Sequence, residues 1–539
     1  MKKRIFVLIF FCYLILIGTS FLRPMIMRNI MDEGIIRKDV KIIITSSVVL
    51  VIIIVIEELF GIIQTNLFIG LQNKIILKLY TKVSQTLFYA KIDYFLHNNS
   101  AEITNKISTD IYNVSSLADS SIMNMFGYVL QVFSGIAGLL VINWKLALLV
   151  LSVVPVKYFL IRRFSKEEES IFEQWIEASA DFSAWLGDTV NGIREIKLWN
   201  MYEKKQQDVI KKQEKVLELN RRSKLLLAYN NSSDSAVQSL VVAALYGIGG
   251  YFICREQLTL GSLTAFISYN NYVIGPISLI LNLKIILAQV KPSVQRLKEF
   301  FVIETEKKEG KYKEIREVKN KICFKNVTFS YGEKMILRDV NLEISKGEKI
   351  AIIGENGSGK STIISLLLRF IQPQEGNIYV DGVDIMQFDL HQYRNLFSVV
   401  NQDIYLFEDT VGNNISLGLQ LNENEMNVFC EKMGMKKFIN QLSQRHACVI
   451  EKNGENLSGG ERQKISILRA VIKNSPVFIL DEATANIDEK YEKFIFNLFI
   501  NEFTDKTFII ITHKRENLQG VDRLYQIENQ TIKEIKAAD

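Results

Sequence analysis

Cysteine and proline are both scarce here, with five of one and six of the other in 539 residues. The cysteines, Cys12, Cys254, Cys323, Cys430 and Cys448, are scattered without a C-x-x-C pair or any ligand spacing. They are read as reduced or membrane-buried, which excludes a disulfide framework and a structural metal. Charge excess is also small: +6 over this length does not suggest a nucleic-acid partner. Proline is missing from two long polar segments, roughly residues 64–121 and 162–235. Nothing there breaks a helix, so long helices are expected to run well past any membrane boundary. The start Met1-Lys2-Lys3-Arg4 precedes an apolar run, Ile5 to Leu22, but no small-x-small cleavage site follows. That favours an uncleaved first span over a removed signal peptide.

Long hydrophobic runs, by contrast, are plentiful before residue 290. Six spans are expected at about residues 5–30, 42–63, 122–142, 146–161, 236–254 and 263–288, each compared with the ~20 residues that cross a bilayer. Short turns, Asn143-Trp144-Lys145 and Arg255 to Gly261, join spans on one side. The long segments on the other side are rich in Lys and Arg, as in Lys204-Lys205, Lys211-Lys212 and Arg221-Arg222. The positive-inside rule therefore puts those segments and both termini in the cytoplasm of a multi-pass cell-membrane protein. Abundant Ile, Asn and Lys suggest an AT-rich bacterial source. Glu57 and Glu58, near the end of the second run, either line a cavity favouring cationic or polar cargo or mark where the helix leaves the membrane.

Residues 1–303 thus read as a transmembrane domain, the charged stretch 304–321 as a linker, and 322–539 as a soluble domain of α/β pattern. The soluble part carries the clearest chemistry. An apolar strand, Lys349 to Ile353, runs into Gly354-Glu355-Asn356-Gly357-Ser358-Gly359-Lys360-Ser361, and a helical pattern follows from Thr362. Strand, glycine-rich turn and helix form the setting in which backbone N–H groups and the helix dipole cradle phosphates. Lys360 can reach the β- and γ-phosphates, and Ser361 can offer a hydroxyl to Mg²⁺. The apolar run Val477 to Leu480 delivers Asp481 to its C-terminal end as a second Mg²⁺ ligand, with Glu482 next to orient the attacking water. Leu457-Ser458-Gly459-Gly460, opening a helical stretch, is a second phosphate-seeking nest. A single ATP needs one cradle, so the second nest makes sense as a cap on a partner subunit's nucleotide.

In this order, the cradle, Leu457-Ser458-Gly459-Gly460 and Leu480-Asp481-Glu482 resemble the ATP-binding cassette (ABC) transporters. The resemblance implies ATP contacts from Tyr331, Gly354, Asn356, Gly357, Ser358, Gly359, Lys360, Ser361 and Thr362 of one chain. It implies further contacts from Ser458, Gly459 and Gly460, with Asp488 linking the two ATP sites. Tyr331 matches the aromatic that stacks on adenine, and His513 the switch histidine at the γ-phosphate. Gln402 matches the glutamine between the nucleotide and the membrane domain, which joins Ser361 and Asp481 around Mg²⁺ and, with Glu482 and His513, serves catalysis. Trp144 to Leu149 with Pro155, Asn191 to Lys197, and Glu102 with Asp110 resemble pieces of the six-span exporters.

The implied architecture is an α-helical six-span membrane domain with long cytoplasmic helix extensions, followed by an α/β P-loop NTPase domain of ABC type. Glu451-Lys452 stands where many exporters carry Gly-Glu. The sequence before the first span leaves no room for the peptidase domain of some peptide exporters, and the usual amphipathic helix there is missing or very short. The leading reading is ATP-driven export by a dimer, the partner being a second copy or a related half-transporter, set in a lipid bilayer. The exported substrate is a small peptide, lipid or amphipathic compound. A non-exporting membrane ATPase acting as a sensor, and an importer on the same architecture, are the alternatives.

Overall fold

The computed structural model describes residues 2–98, 100–281, 283–306, 310–312, 314–483, 487–513, 518 and 520–535. The chain divides into two compact units, residues 1–88 with 100–303, and residues 89–99 with 304–539.

The first unit is helical throughout. Its elements are α1 (Lys2–Asn29), which continues as a π-helical turn over Ile30–Ile35, and α2 (Val40–Phe88). A short helix α3 (Ile92–His97) comes next in the chain but belongs to the second unit. The first unit resumes with α4 (Ser100–Ser115), α5 (Ser120–Ile142), α6 (Trp144–Asn191), α7 (Ile193–Leu198), α8 (Tyr202–Cys254), α9 (Leu260–Leu281) and α10 (Leu283–Phe300). At 49, 48 and 53 residues, α2, α6 and α8 are each more than twice the length that a bilayer requires. Their proline-free polar stretches are what let the helices run on. The expected sixth run, 263–288, is carried by two helices, α9 and α10, with residue 282 between them outside the described residues.

Local chemistry fixes the turns. Asn143 caps α6 by accepting from the N–H groups of Lys145 and Leu146 at 3.0 and 3.2 Å. Glycine permits the tightest crossing. A Cβ at Gly138 would lie 2.5 Å from the Tyr269 ring, so α5 and α9 can approach only because that atom is missing. Tyr269 is fully buried and donates its hydroxyl to the Phe21 carbonyl, adding α1 to this core of Leu139, Leu146, Val150, Leu245 and Phe266. Apolar side chains of α1 and α2, including Phe6, Phe10, Phe11, Val51, Ile52 and Val55, instead face outward. Among the described residues, four helical stretches are long and apolar enough to cross a membrane: Ile5–Ile35, Val40–Phe88, Asn124–Ile142 and Tyr202–Cys254. Asp110 accepts from the Arg296 guanidinium at 2.5–3.1 Å, tying α4 to α10. The side chain of Glu102 lies outside the described residues.

The second unit has two sheets. One is antiparallel, in the order β2-β1-β4-β5, from β1 (Lys321–Tyr331), β2 (Lys334–Ser345), β4 (Glu375–Val380) and β5 (Val383–Asp384). The other runs β10-β9-β3-β8-β7-β6, from β3 (Lys349–Gly354), β6 (Phe397–Val400), β7 (Val477–Asp481), β8 (Thr507–Ile511), β9 (Arg523–Glu528) and β10 (Thr531–Ile535). In this sheet β3, β6, β7, β8 and β9 pair in parallel, and β7 and β8 are buried along their whole length, as their unbroken apolar runs require.

Residues 304–306, read from sequence as the start of a linker, are held in place. Ala90 and Thr305 form an antiparallel bridge, and the Lys91 N–H donates to the Glu304 carbonyl at 3.1 Å. The Glu306 carboxylate takes two hydrogen bonds from Arg394, at 2.6 and 2.9 Å. Tyr89 adds a contact from its hydroxyl to His391 Nε2 at 3.1 Å. Composition marked 304–321 as charged and poor in apolar residues; it could not show that Glu304 and Glu306 have partners.

Candidate functional site

The glycine-rich turn leaves the C-terminal end of β3, at the centre of the parallel sheet, and enters α11 (Lys360–Leu367). Crevices at such strand ends are where α/β sheets bind ligands. Gly357 and Gly359 have φ of +79° and +108°, in the left-handed region that favours glycine. A Cβ at Gly359 would also meet Leu337 at 2.9 Å. The turn therefore curls tightly around its own N–H groups. Those of Gly357, Gly359 and Lys360 take no protein acceptor among the described residues. Lys360, only 7% exposed, bends back so that Nζ donates to the carbonyls of Gly354 and Glu355, both at 2.8 Å. A buried ammonium and unpaired N–H groups around one hollow make a donor set for anionic oxygens. The residues fit a nucleotide's phosphates.

The hollow is a cavity of about 740 Å³. Tyr331, Gly354, Asn356, Gly357, Gly359, Lys360, Ser361, Thr362, Gln402, Asp481, Glu482 and His513 all line it. These are expected site residues, brought together from the ends of β1, β3, β6, β7 and β8 and from the turns that follow. Tyr331 is exposed at its rim, edge-on to Phe329 with ring centroids 4.8 Å apart. Ser358, also expected at the site, is not on the cavity wall; its N–H donates to the Glu355 carbonyl at 3.2 Å and its hydroxyl is buried without a partner.

Two acids sit side by side and differ in surroundings. Asp481 is buried, with the Ser361 hydroxyl beside its carboxylate. Burial pushes its carboxyl above the usual range, while Ser361 and Lys360 pull it back. Glu482 has φ of +47°, uncommon for a residue with a side chain. Its carboxylate accepts from Gln402 Nε2 at 2.8 Å and lies 3.4 Å from His513 Nδ1. Its carbonyl accepts from Gln463 Nε2 at 3.2 Å. The hydroxyl–carboxylate pair Ser361–Asp481 is a hard oxygen donor set that suits Mg²⁺.

Ser458, Gly459, Gly460 and Asp488 do not line this cavity. Ser458 caps α16 (Gly459–Lys473) in a reciprocal box with Glu461, whose carboxylate accepts from the Ser458 N–H at 2.8 Å. Asp488 caps α17 (Glu489–Glu502), accepting from the Tyr491 N–H at 2.9 Å. Both groups stand elsewhere on the same unit. Three residues had no separate signal in the sequence: Lys334 and Ile336, which complete the cavity wall from β2, and Gln463, which braces the Glu482 backbone. None belongs to a spacing pattern with its own chemistry.

Comparisons with known proteins place the chain in a family. The family model described as "ABC transporter" matches residues 337–485, and "ABC transporter transmembrane region" matches residues 6–277. A Pasteurella multocida protein called "ATP-dependent lipid A-core flippase" is 27% identical over 519 residues, covering 94% of this chain and 88% of its own length. The "Uncharacterized ABC transporter ATP-binding protein YwjA" of Bacillus subtilis is 28% identical, with 82% and 77% covered. Among solved structures, "Structure of a bacterial Atm1-family ABC exporter with ATP bound" superposes with a TM-score of 0.83 at 22% identity, covering 100% of this chain and 96% of that one.

Proposed function

The chain belongs to the ABC transporters, and on that premise we propose that two copies form one exporter whose ATP sites are shared between them. The family's membrane region and ATPase occur once each, in an order that suits a half-transporter. In this reading the membrane half gives way to the ATPase half near residue 304, and the ATPase side and both termini face the cytoplasm. The lysines and arginines of the α2 and α8 extensions support that orientation. The cargo is an amphiphile, in keeping with curated relatives whose names describe lipid flippases.

The single observation that carries the site is the Glu482 carboxylate, held between Gln402 and His513 beside the Ser361–Asp481 pair. ATP enters with adenine against Tyr331 and its phosphates on the turn, where Lys360 exchanges two loop carbonyls for phosphate oxygens. Ser361, Asp481 and Gln402 would hold Mg²⁺, which supplies charge neutralisation at the β- and γ-phosphates. Glu482 orients a water in line with the γ-phosphorus and draws off its proton as the bond to ADP breaks. His513 donates toward the γ-phosphate. Ser458, Gly459 and Gly460 of one chain close over the nucleotide of the other, and Asp488 joins the two sites. Closing drives the long helices, and product release resets them.

Glu482→Gln tests this directly. It keeps size and hydrogen-bonding capacity but loses the carboxylate that draws off the proton. Vanadate-sensitive ATPase activity should fall about 10²–10⁴-fold, with ATP binding retained. Hydrolysis at the wild-type rate would remove Glu482 from the mechanism.

A further inference from the structure

The first unit contains a second hollow whose wall chemistry is at odds with its depth. It has a volume of about 290 Å³ and is enclosed by α1, α2, α5 and α9. Its polar wall includes Tyr13, Arg23, Glu57, Gln64, Asn124 and Gln131. Arg23 stands about 27 Å along the helix from Ile5 and about 18 Å from Ile35, which places it well inside the span. Polar groups at such depth are costly unless they face a protein interior or a polar ligand.

Two observations point to a ligand. Gln64 is 4% exposed, and its Nε2 faces the Tyr13 hydroxyl without making a hydrogen bond of full geometry. A buried amide N–H₂ has two protons to place and is destabilising when either lacks an acceptor, so it has room for one from outside. The charged pair is also loosely made. Arg23 and Glu57 touch through one contact of 3.4 Å, where a guanidinium and a carboxylate can form two shorter bonds. Glu58, its neighbour, is exposed instead. Of the two acids that the sequence singled out, Glu57 is the one on the cavity wall.

We propose that this cavity binds the net-neutral polar head of an amphiphile, zwitterionic or uncharged. The inference rests on the export reading above and names the class of its cargo. Among the described residues, Arg23 and Glu57 are the charged pair on the wall, and their charges cancel. A net-charged head would enter an electrically balanced site of low dielectric and keep an uncompensated charge. A zwitterion meets both ends of the pair, and hydroxyls or amides meet Gln64, Asn124 and Gln131. Leu16 and Ile17 offer an apolar flank to the chain that follows the head. The multiply anionic head of a lipid A does not fit this balance.

The test uses the full-length protein in nanodiscs, with four twelve-carbon probes below their micelle concentrations: phosphocholine, maltoside, sulfate and trimethylammonium. Saturable shifts in the thermal midpoint of the Glu482→Gln protein report binding without requiring hydrolysis. The phosphocholine and maltoside should half-saturate at the lowest concentrations. Glu57→Gln leaves Arg23 alone and should improve binding of the sulfate about tenfold, and Arg23→Gln should do the same for the trimethylammonium probe. Misfolding cannot produce such gains. Equal response to all four heads, or an order unchanged in both variants, would overturn the proposal. Failure of the export reading shows separately, as no ATP-dependent movement of a labelled amphiphile in inside-out vesicles that Glu482→Gln abolishes.

Discussion

Asp481 and Glu482 are adjacent in sequence, and their surroundings assign them different work. Asp481 is buried, and that burial raises its carboxyl pKa. A carboxylate raised on folding stabilises the protein in acid, and that contribution is lost as pH climbs through the folded pKa. Without a cation, the protein therefore carries a destabilising charge here near neutral pH. Asp481→Asn should raise the thermal midpoint of the nucleotide-free protein at pH 7.5 and remove the extra protection that Mg²⁺ gives over ATP alone. A midpoint that falls would show that Asp481 serves packing rather than the cation. The sequence made this pair legible through a buried strand ending in two acids. It did not show the +47° backbone of Glu482 or the Gln463 amide behind it, since neither leaves a pattern in spacing.

At the scale of elements, three helices meet on one buried cation. Lys157, in the first third of α6, is almost wholly covered, with Nζ 2.7 Å from Asp234 of α8 and 2.5 Å from the Ile274 carbonyl of α9. Periodicity cannot reveal such a contact, because a lone lysine in an apolar run reads as an interruption. The same run, 146–161, was legible as a helix but not as the hub of a packing unit. Removing the cation undoes all three contacts: Lys157→Met should destabilise the membrane half by about 3 kcal/mol, read as thermal unfolding in nanodiscs. Lys157→Met with Asp234→Leu should regain most of that loss. Equal destabilisation by the single and double variants would mean that shape rather than charge decides here. Element boundaries were less legible. The polar stretch 64–121 reads as one continuous segment, yet residues 89–99 pack with the ATPase unit, held by the Ala90–Thr305 bridge and Lys91–Glu304. Bridges between distant pieces of chain have no local signature.

At the scale of the molecule, the proposed sharing of ATP sites between two chains can be tested by complementation. The cavity at Lys360 lacks Ser458, Gly459 and Gly460, whose N–H-bearing helix start lies elsewhere on the same unit. If each nest serves the partner's nucleotide, damage to the two parts should complement. Consider Lys360→Ala, which spoils a cradle, and Gly459→Asp, which sets a carboxylate where a phosphate should approach. Pairs made of either variant alone have two dead sites. In a mixed pair, one site receives both lesions and the other receives none. Random pairing makes half the dimers mixed, each with one intact site, so independent sites would return about a quarter of wild-type ATPase activity. Were cradle and nest to work within a single chain, every site in the mixture would still carry a lesion. Co-reconstituting the two variants and finding no activity above either parent would therefore sink the shared-site reading.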